Sequence, residues 1–185
     1  LAIHLNLVIA FPPDGQDPLE GVSPEEVEGM KNIEKYQATG SGYFAIQSTK
    51  PQTLGYGLND SPVGLAAWII EKFHGWANKE SGQLVVPLDE VLAIVSLYWY
   101  TESITSSARF YYENGPMGFS LNKISQPMAG AIFKNEIARP PKVWADEIYN
   151  IIQWNQHPGG HFAALENPEI LAEDIFSYAA KLKIQ

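Results

Sequence analysis

Two side chains in the last third of the chain have the types and the order of an acid–base pair. Glu136 closes the apolar stretch PMAGAIFKNE, and His161 follows NIIQWNQHPGG, 25 positions later. A carboxylate within reach of an imidazole Nδ1 fixes the tautomer and stabilises the imidazolium, which leaves Nε2 to act as a base. Gly159 and Gly160, ahead of the histidine, allow a sharp backbone turn and leave room around the ring. The competing description is a solvated loop acid and a histidine that merely precedes a helix. Placement at the ends of two successive apolar stretches favours the pair without excluding that alternative.

Other chemistry-bearing residues carry weaker signals. His4 lies inside an apolar stretch and reads as a packed or edge residue. His74 lies on the helical stretch IIEKFHGW and reads as surface or packing. His157 precedes Pro158 in a turn and is loosely placed. The histidines lack metal-ligand spacing and there is no HExxH, so neither a metal nor another cofactor is expected. A nucleophile elbow of GxSxG or GxDxG type does not occur in the 185 residues. Asp14, in FPPDGQD, follows a strand but lacks the strand–elbow–helix context. Gly55-Tyr56-Gly57 does not continue into a phosphate-binding loop.

Composition narrows the field further. A formal charge of −9 argues against nucleic acid or an anionic membrane surface as partner. Cysteine is absent, which removes disulfides and thiolate chemistry. No apolar run reaches the length of a membrane span, and a cytoplasmic location is expected. Aromatic residues make up 12% of the chain, and Tyr43, Trp99, Tyr100, Tyr111 and Tyr112 fall in its helical part. Aromatics lining a lid would form an apolar pocket with a few hydroxyl donors.

The elements that must position the pair follow from periodicity and punctuation. IHLNLVIA, residues 3–10, is rich in aliphatic and β-branched residues and predicts a strand. FPPDGQDP interrupts regular structure. A helix then opens at Ser23, a capping residue, with Pro24, Glu25 and Glu26 in its first turn. TKPQTLGYGLN predicts a loop. DSPVGLAAWIIEKFHGW predicts a helix capped by Asp60 or Ser61, and two more helical stretches follow up to residue 114. PMAGAIFKNE predicts a strand, PPKVWADEIY a short helix and NIIQWNQ another strand. The last helix is capped by Asn167, with Ile170, Leu171, Ile175, Tyr178, Ala179 and Leu182 on one face. Alternating strands and helices imply an α/β fold with a parallel sheet, interrupted by a helical insertion. In such a sheet, an acid and then a histidine at successive strand ends is the order in which an α/β-hydrolase triad closes.

Several long segments together resemble the microsomal-type epoxide hydrolases: GYFAIQSTKPQTLGYGLNDSPVGLAAWIIEKFHGW, SSARFYYEN, FKNEIARPPKVWA and GGHFAALENPE. The resemblance runs from the first strand to the last helix. It implies an α/β-hydrolase fold, here the C-terminal part of the mostly parallel sheet, with an inserted helical cap. The corresponding division is residues 1–22 as core strand and linker, 23–120 as cap, and 121–185 as the core part carrying acid and histidine.

The resemblance also implies a two-step reaction. An aspartate opens the epoxide to give an alkyl–enzyme ester, two cap tyrosines donate to the departing oxygen, and a histidine–acid pair activates water to release a vicinal diol. Matched motif by motif, His161 is the base, Glu136 its partner, and Tyr43 and Tyr111 the donors. Tyr112 is turned about 100° from Tyr111 on a helix, which favours Tyr111. The expected partners are a small apolar epoxide and water. The family's GGDWG-type elbow and HGWP-type oxyanion motif do not occur in these 185 residues. They are expected from an N-terminal portion, on the same or a separate chain, and a homodimer is compatible with this reading. The alternatives are an esterase- or dehalogenase-type hydrolase, which needs no phenol donors, and a degenerate hydrolase that binds an apolar ligand.

Overall fold

The computed structural model describes residues 1–114 and 122–182. In chain order the elements are β1 (Ile3–Leu5), α1 (Pro24–Lys35), a π-helical turn (Tyr36–Gly40), α2 (Gly42–Thr49), α3 (Pro51–Asp60) and α4 (Pro62–Trp76). A short ribbon of β2 (Lys79–Glu80) and β3 (Gln83–Leu84) follows, then α5 (Leu88–Tyr100) and α6 (Ile104–Asn114). After the next strand, β4 (Ile124–Phe133), come α7 (Lys142–Asp146), β5 (Tyr149–His157), α8 (Ala163–Glu166) and α9 (Pro168–Lys181). They form two compact units: residues 1–36 with 121–185, and residues 37–120. The sequence places its boundaries at residues 22 and 120, and the second of these lies outside the described residues.

In the first unit β1, β4 and β5 form a parallel sheet with β4 in the middle. Met128, Ala129, Ala131 and Phe133 of β4 are fully buried, as expected of a strand covered on both faces. Gly130 has no room for a side chain, because a Cβ there would lie 2.6 Å from the Trp154 ring. The apolar stretch 3–10 is a strand only at Ile3–Leu5. Val8 and Ala10 are still buried against Met128, Ile132 and Trp144, but the chain has left the ladder. The Ile9 carbonyl instead accepts from the Tyr149 hydroxyl at 3.0 Å.

Helix α1 begins with the expected Ser23 cap. The Ser23 hydroxyl accepts from Glu26 N–H and the Glu26 carboxylate accepts from Ser23 N–H, a reciprocal capping box. Glu26 also accepts from Lys142 N–H at 2.8 Å, and Gly29 lies against Arg139. These contacts tie α1 into the sheet unit. The last helix differs from expectation in two respects. Asn167 caps nothing with its side chain, whose amide donates instead to the Pro158 carbonyl at 3.3 Å. Ile175 is exposed, while Asp174, on the inward face between Leu171 and Tyr178, is buried.

The second unit is helical, and the stretch 49–59, expected as a loop, contains α3. Pro51 fits a first helical turn. Leu54 and Leu58 join Leu65, Val95 and Ile104 in one apolar cluster, and that burial outweighs the helix-breaking tendency of Gly55 and Gly57. Gly55 is needed where it stands: a Cβ there would lie 2.2 Å from Thr105 Oγ1 on α6. Ser61, of the two candidate caps for α4, accepts from Gly64 N–H at 3.1 Å.

Candidate active site

The turns after β4 and β5 form one hydrogen-bonded edge. Lys134 N–H donates to the His157 carbonyl at 2.9 Å and Asn135 N–H to the Gly159 carbonyl at 2.8 Å, extending the pairing past the strands. Glu136 therefore lies three residues beyond β4 rather than at its last position. Its backbone is anchored twice: its N–H donates to the Phe133 carbonyl, and its carbonyl accepts from Asn32 Nδ2 of α1 at 3.0 Å. Arg139 Nη1 donates to the Lys134 carbonyl, closing the same turn.

This edge brings Glu136 and His161 together. Glu136 Oε1 lies 2.7 Å from His161 Nδ1 and accepts from Ile137 N–H at 2.6 Å. The Glu136 side chain is 2% exposed and that of His161 22%. An ionised carboxylate only accepts, so Nδ1 carries the proton and the lone pair of the neutral ring is at Nε2. Glu136 Oε2 is buried and has no hydrogen-bond partner among the described residues.

The two tyrosines singled out in the sequence also meet, within the helical unit. Tyr43 on α2 and Tyr111 on α6 make an edge contact at 5.8 Å between ring centroids. Tyr111 is half-buried whereas Tyr112 is exposed, as the helical turn between them requires. The rest of the expected aromatic lining is placed elsewhere. Tyr100 is exposed, and Trp99 packs on the Leu58–Leu65–Val95 cluster. Phe44 and Trp76 surround the tyrosine pair instead, at 5.4 Å from Tyr111 and 5.3 Å from Tyr43 respectively. Lys72 Nζ lies 4.5 Å from the Tyr43 ring centroid and also faces Trp68 and Trp76. Trp68, Lys72 and Trp76 recur every four residues along α4, and that spacing was the available signal.

A second polar cluster, built on Asp174, has no counterpart in the sequence reading. Its Oδ1 meets His4 Nε2 and Gln153 Nε2, each at 2.8 Å. Its Oδ2 meets Asn155 Nδ2 at 2.7 Å and His157 Nε2 at 2.6 Å. His4 and His157, described above as a packed or edge residue and a loosely placed one, are thus both partners of one buried carboxylate. Burial alone would raise the Asp174 pKa, but the bonds from Asn155, His157, His4 and Gln153 outweigh it and hold the value at about 2. Gln153, Asn155 and His157 alternate along β5 and so share one face, a pattern the sequence displays. Among the described residues no group of His, Cys, Asp and Glu has the arrangement to hold a metal ion, and no helix is long and apolar enough to cross a membrane.

A parallel sheet whose successive strands lead to an acid and then a histidine, with a helical segment inserted in the sequence, defines part of an α/β-hydrolase. No protein-family model matches the chain. It is 44% identical to a provisionally assigned epoxide hydrolase of Stigmatella aurantiaca, over 94% of this chain and 40% of that protein. It is 45% identical to epoxide hydrolase 1 of Sus scrofa, over 78% of this chain and 35% of that protein. The Aspergillus niger epoxide hydrolase structure superposes with a TM-score of 0.87 at 35% identity, covering 97% of this chain and 46% of that one. The chain is a homologue of the epoxide hydrolases of the α/β-hydrolase fold, and it spans less than half the length of each of these relatives.

Proposed function

We propose that these residues supply the water-activating pair and the epoxide-oxygen donors of an epoxide hydrolase, with the helical unit as its cap. The observation that carries this reading is the 2.7 Å contact between Glu136 Oε1 and His161 Nδ1, which holds the imidazole in the tautomer a base needs. In the first step an aspartate carboxylate, supplied from outside these 185 residues, attacks an epoxide carbon. The C–O bond breaks, and the oxygen takes a proton or hydrogen bonds from the Tyr43 and Tyr111 phenols. A phenol suits this role because its hydroxyl can donate a hydrogen bond or a proton. In the second step His161 Nε2 takes a proton from water as the water oxygen bonds to the ester carbonyl carbon. The acyl C–O bond to the substrate then breaks, and the leaving oxygen takes that proton from the imidazolium. A vicinal diol and the regenerated aspartate carboxylate result, with the remaining proton exchanged with solvent. Glu136 stabilises the imidazolium that forms. The aromatic surroundings of Tyr43 and Tyr111 favour an apolar substrate.

The test is His161→Ala in the active hydrolase, incubated with an apolar epoxide and followed by intact mass. Attack precedes water activation, so a covalent adduct of the epoxide's mass should accumulate while diol production stops. The polypeptide that bears the adduct identifies the source of the aspartate. Unchanged turnover would remove His161 from the mechanism.

A further inference from the structure

His161 lies between β5 and α8, in neither element, and the backbone amides on either side of it are bound by Glu166. Gly160 N–H donates to Glu166 Oε2 at 2.7 Å, and Phe162 N–H donates to Glu166 Oε1 at 2.9 Å. One carboxylate thus brackets His161, one oxygen to the amide on each side. Charge-assisted bonds of this kind are short and roughly twice as strong as neutral ones. Glu166 is itself held by the turn it closes, through its N–H to the Phe162 carbonyl at 2.9 Å. The neighbouring Asn167 binds the Pro158 carbonyl and occupies the space beside Gly159, where a Cβ would lie 2.3 Å from Asn167 Nδ2. Gly159 has φ +123°, which only glycine adopts readily. Its carbonyl in turn accepts from Asn135 N–H, next to Glu136. The histidine turn is therefore pinned to the acid's turn on one side and to Glu166 on the other.

We propose that Glu166 is a positioning residue for His161, setting its backbone so that the imidazole keeps its bond to Glu136 while it activates water. This inference rests on the hydrolytic reading of the site. A plain helix cap would add stability and nothing more. A positioning role acts on the step His161 performs, and a displacement on the order of 1 Å costs about 100-fold in such a step.

The experiment is Glu166→Gln in the active hydrolase. A carboxamide has one acceptor oxygen, so one of the two amides loses its bond and faces an NH₂ instead. Single-turnover kinetics would separate ester formation from ester hydrolysis. The expected result is a formation rate within twofold of wild type and a hydrolysis rate reduced at least tenfold. In the steady state kcat and KM fall together and kcat/KM is retained. A loss shared equally by both half-reactions, or an unchanged hydrolysis rate, would overturn the proposal. His161→Ala is measured in parallel. If it fails to accumulate ester, the hydrolytic reading fails and this inference with it. If it accumulates ester while Glu166→Gln hydrolyses normally, only the role of Glu166 is refuted. Should Glu166→Gln not fold, Glu166→Asp keeps the charge but shortens the reach by one methylene, and the same split is expected.

Discussion

Replacing Asp174 by Asn should reduce stability by a calculable amount with a defined pH dependence. Asp174 is buried and its oxygens serve four donors, on His4, Gln153, Asn155 and His157. Its pKa falls from the ordinary 3.8 to about 2, a shift corresponding to about 2–3 kcal/mol in favour of the folded, ionised state. The folded value lies below the unfolded one. The contribution is therefore complete above pH 3.8 and is lost as pH falls through about 2. An asparagine resembles the protonated acid, so the variant should lose roughly 2–3 kcal/mol at neutral pH. An amide NH₂ turned towards Gln153 or Asn155 adds to that loss unless those side chains reorient. Urea denaturation of both proteins, followed by tryptophan fluorescence, should show a midpoint roughly 1 M lower for the variant at pH 7. The difference should be constant down to pH 5 and shrink below pH 4. A neutral-pH difference under about 0.5 kcal/mol, too small for a charged four-donor cluster, would refute the reasoning, as would one that does not change as the acid is titrated.

Gly55→Ala would place a Cβ 2.2 Å from Thr105 Oγ1, and such overpacking costs about 1–3 kcal/mol. Thermal melting should show the loss, and Thr105→Ala in the same chain should recover part of it; a single variant melting like wild type would mean the helices do not approach so closely. In the active hydrolase Tyr43→Phe and Tyr111→Phe should each slow ester formation, on the order of 100-fold for loss of an oxyanion donor, with the double variant slower still. Single-turnover measurements that find neither phenol important would count against epoxide opening.

The meeting of Glu136 with His161 is legible in the sequence because it depends on local order. Glu136 and His161 follow successive strands of a parallel sheet, and strand ends on one edge converge whatever the side chains between them. Tyr43 and Tyr111 were located by motif resemblance, and their contact depends on the packing of α2 against α6. Stretch 49–59 predicts a loop, because its local signals, a proline and two glycines, speak for a turn. Helix α3 forms there because Leu54 and Leu58 find partners on α4, α5 and α6, far along the chain.

The sequence by itself determined the α/β alternation, the Ser23 cap, the candidate base and its acid, since each rests on residue type and short-range spacing. Only the tertiary structure decided which polar groups meet. Nothing local says that His4, Gln153, Asn155 and His157 converge on Asp174. That follows from β1 and β5 flanking β4 in one sheet, with α9 presenting a carboxylate to both. The same holds for Glu166, whose two oxygens reach the amides on either side of His161 only because the backbone reverses at Gly159. A buried polar group must find its partners wherever the chain brings them, and that search is completed only in three dimensions.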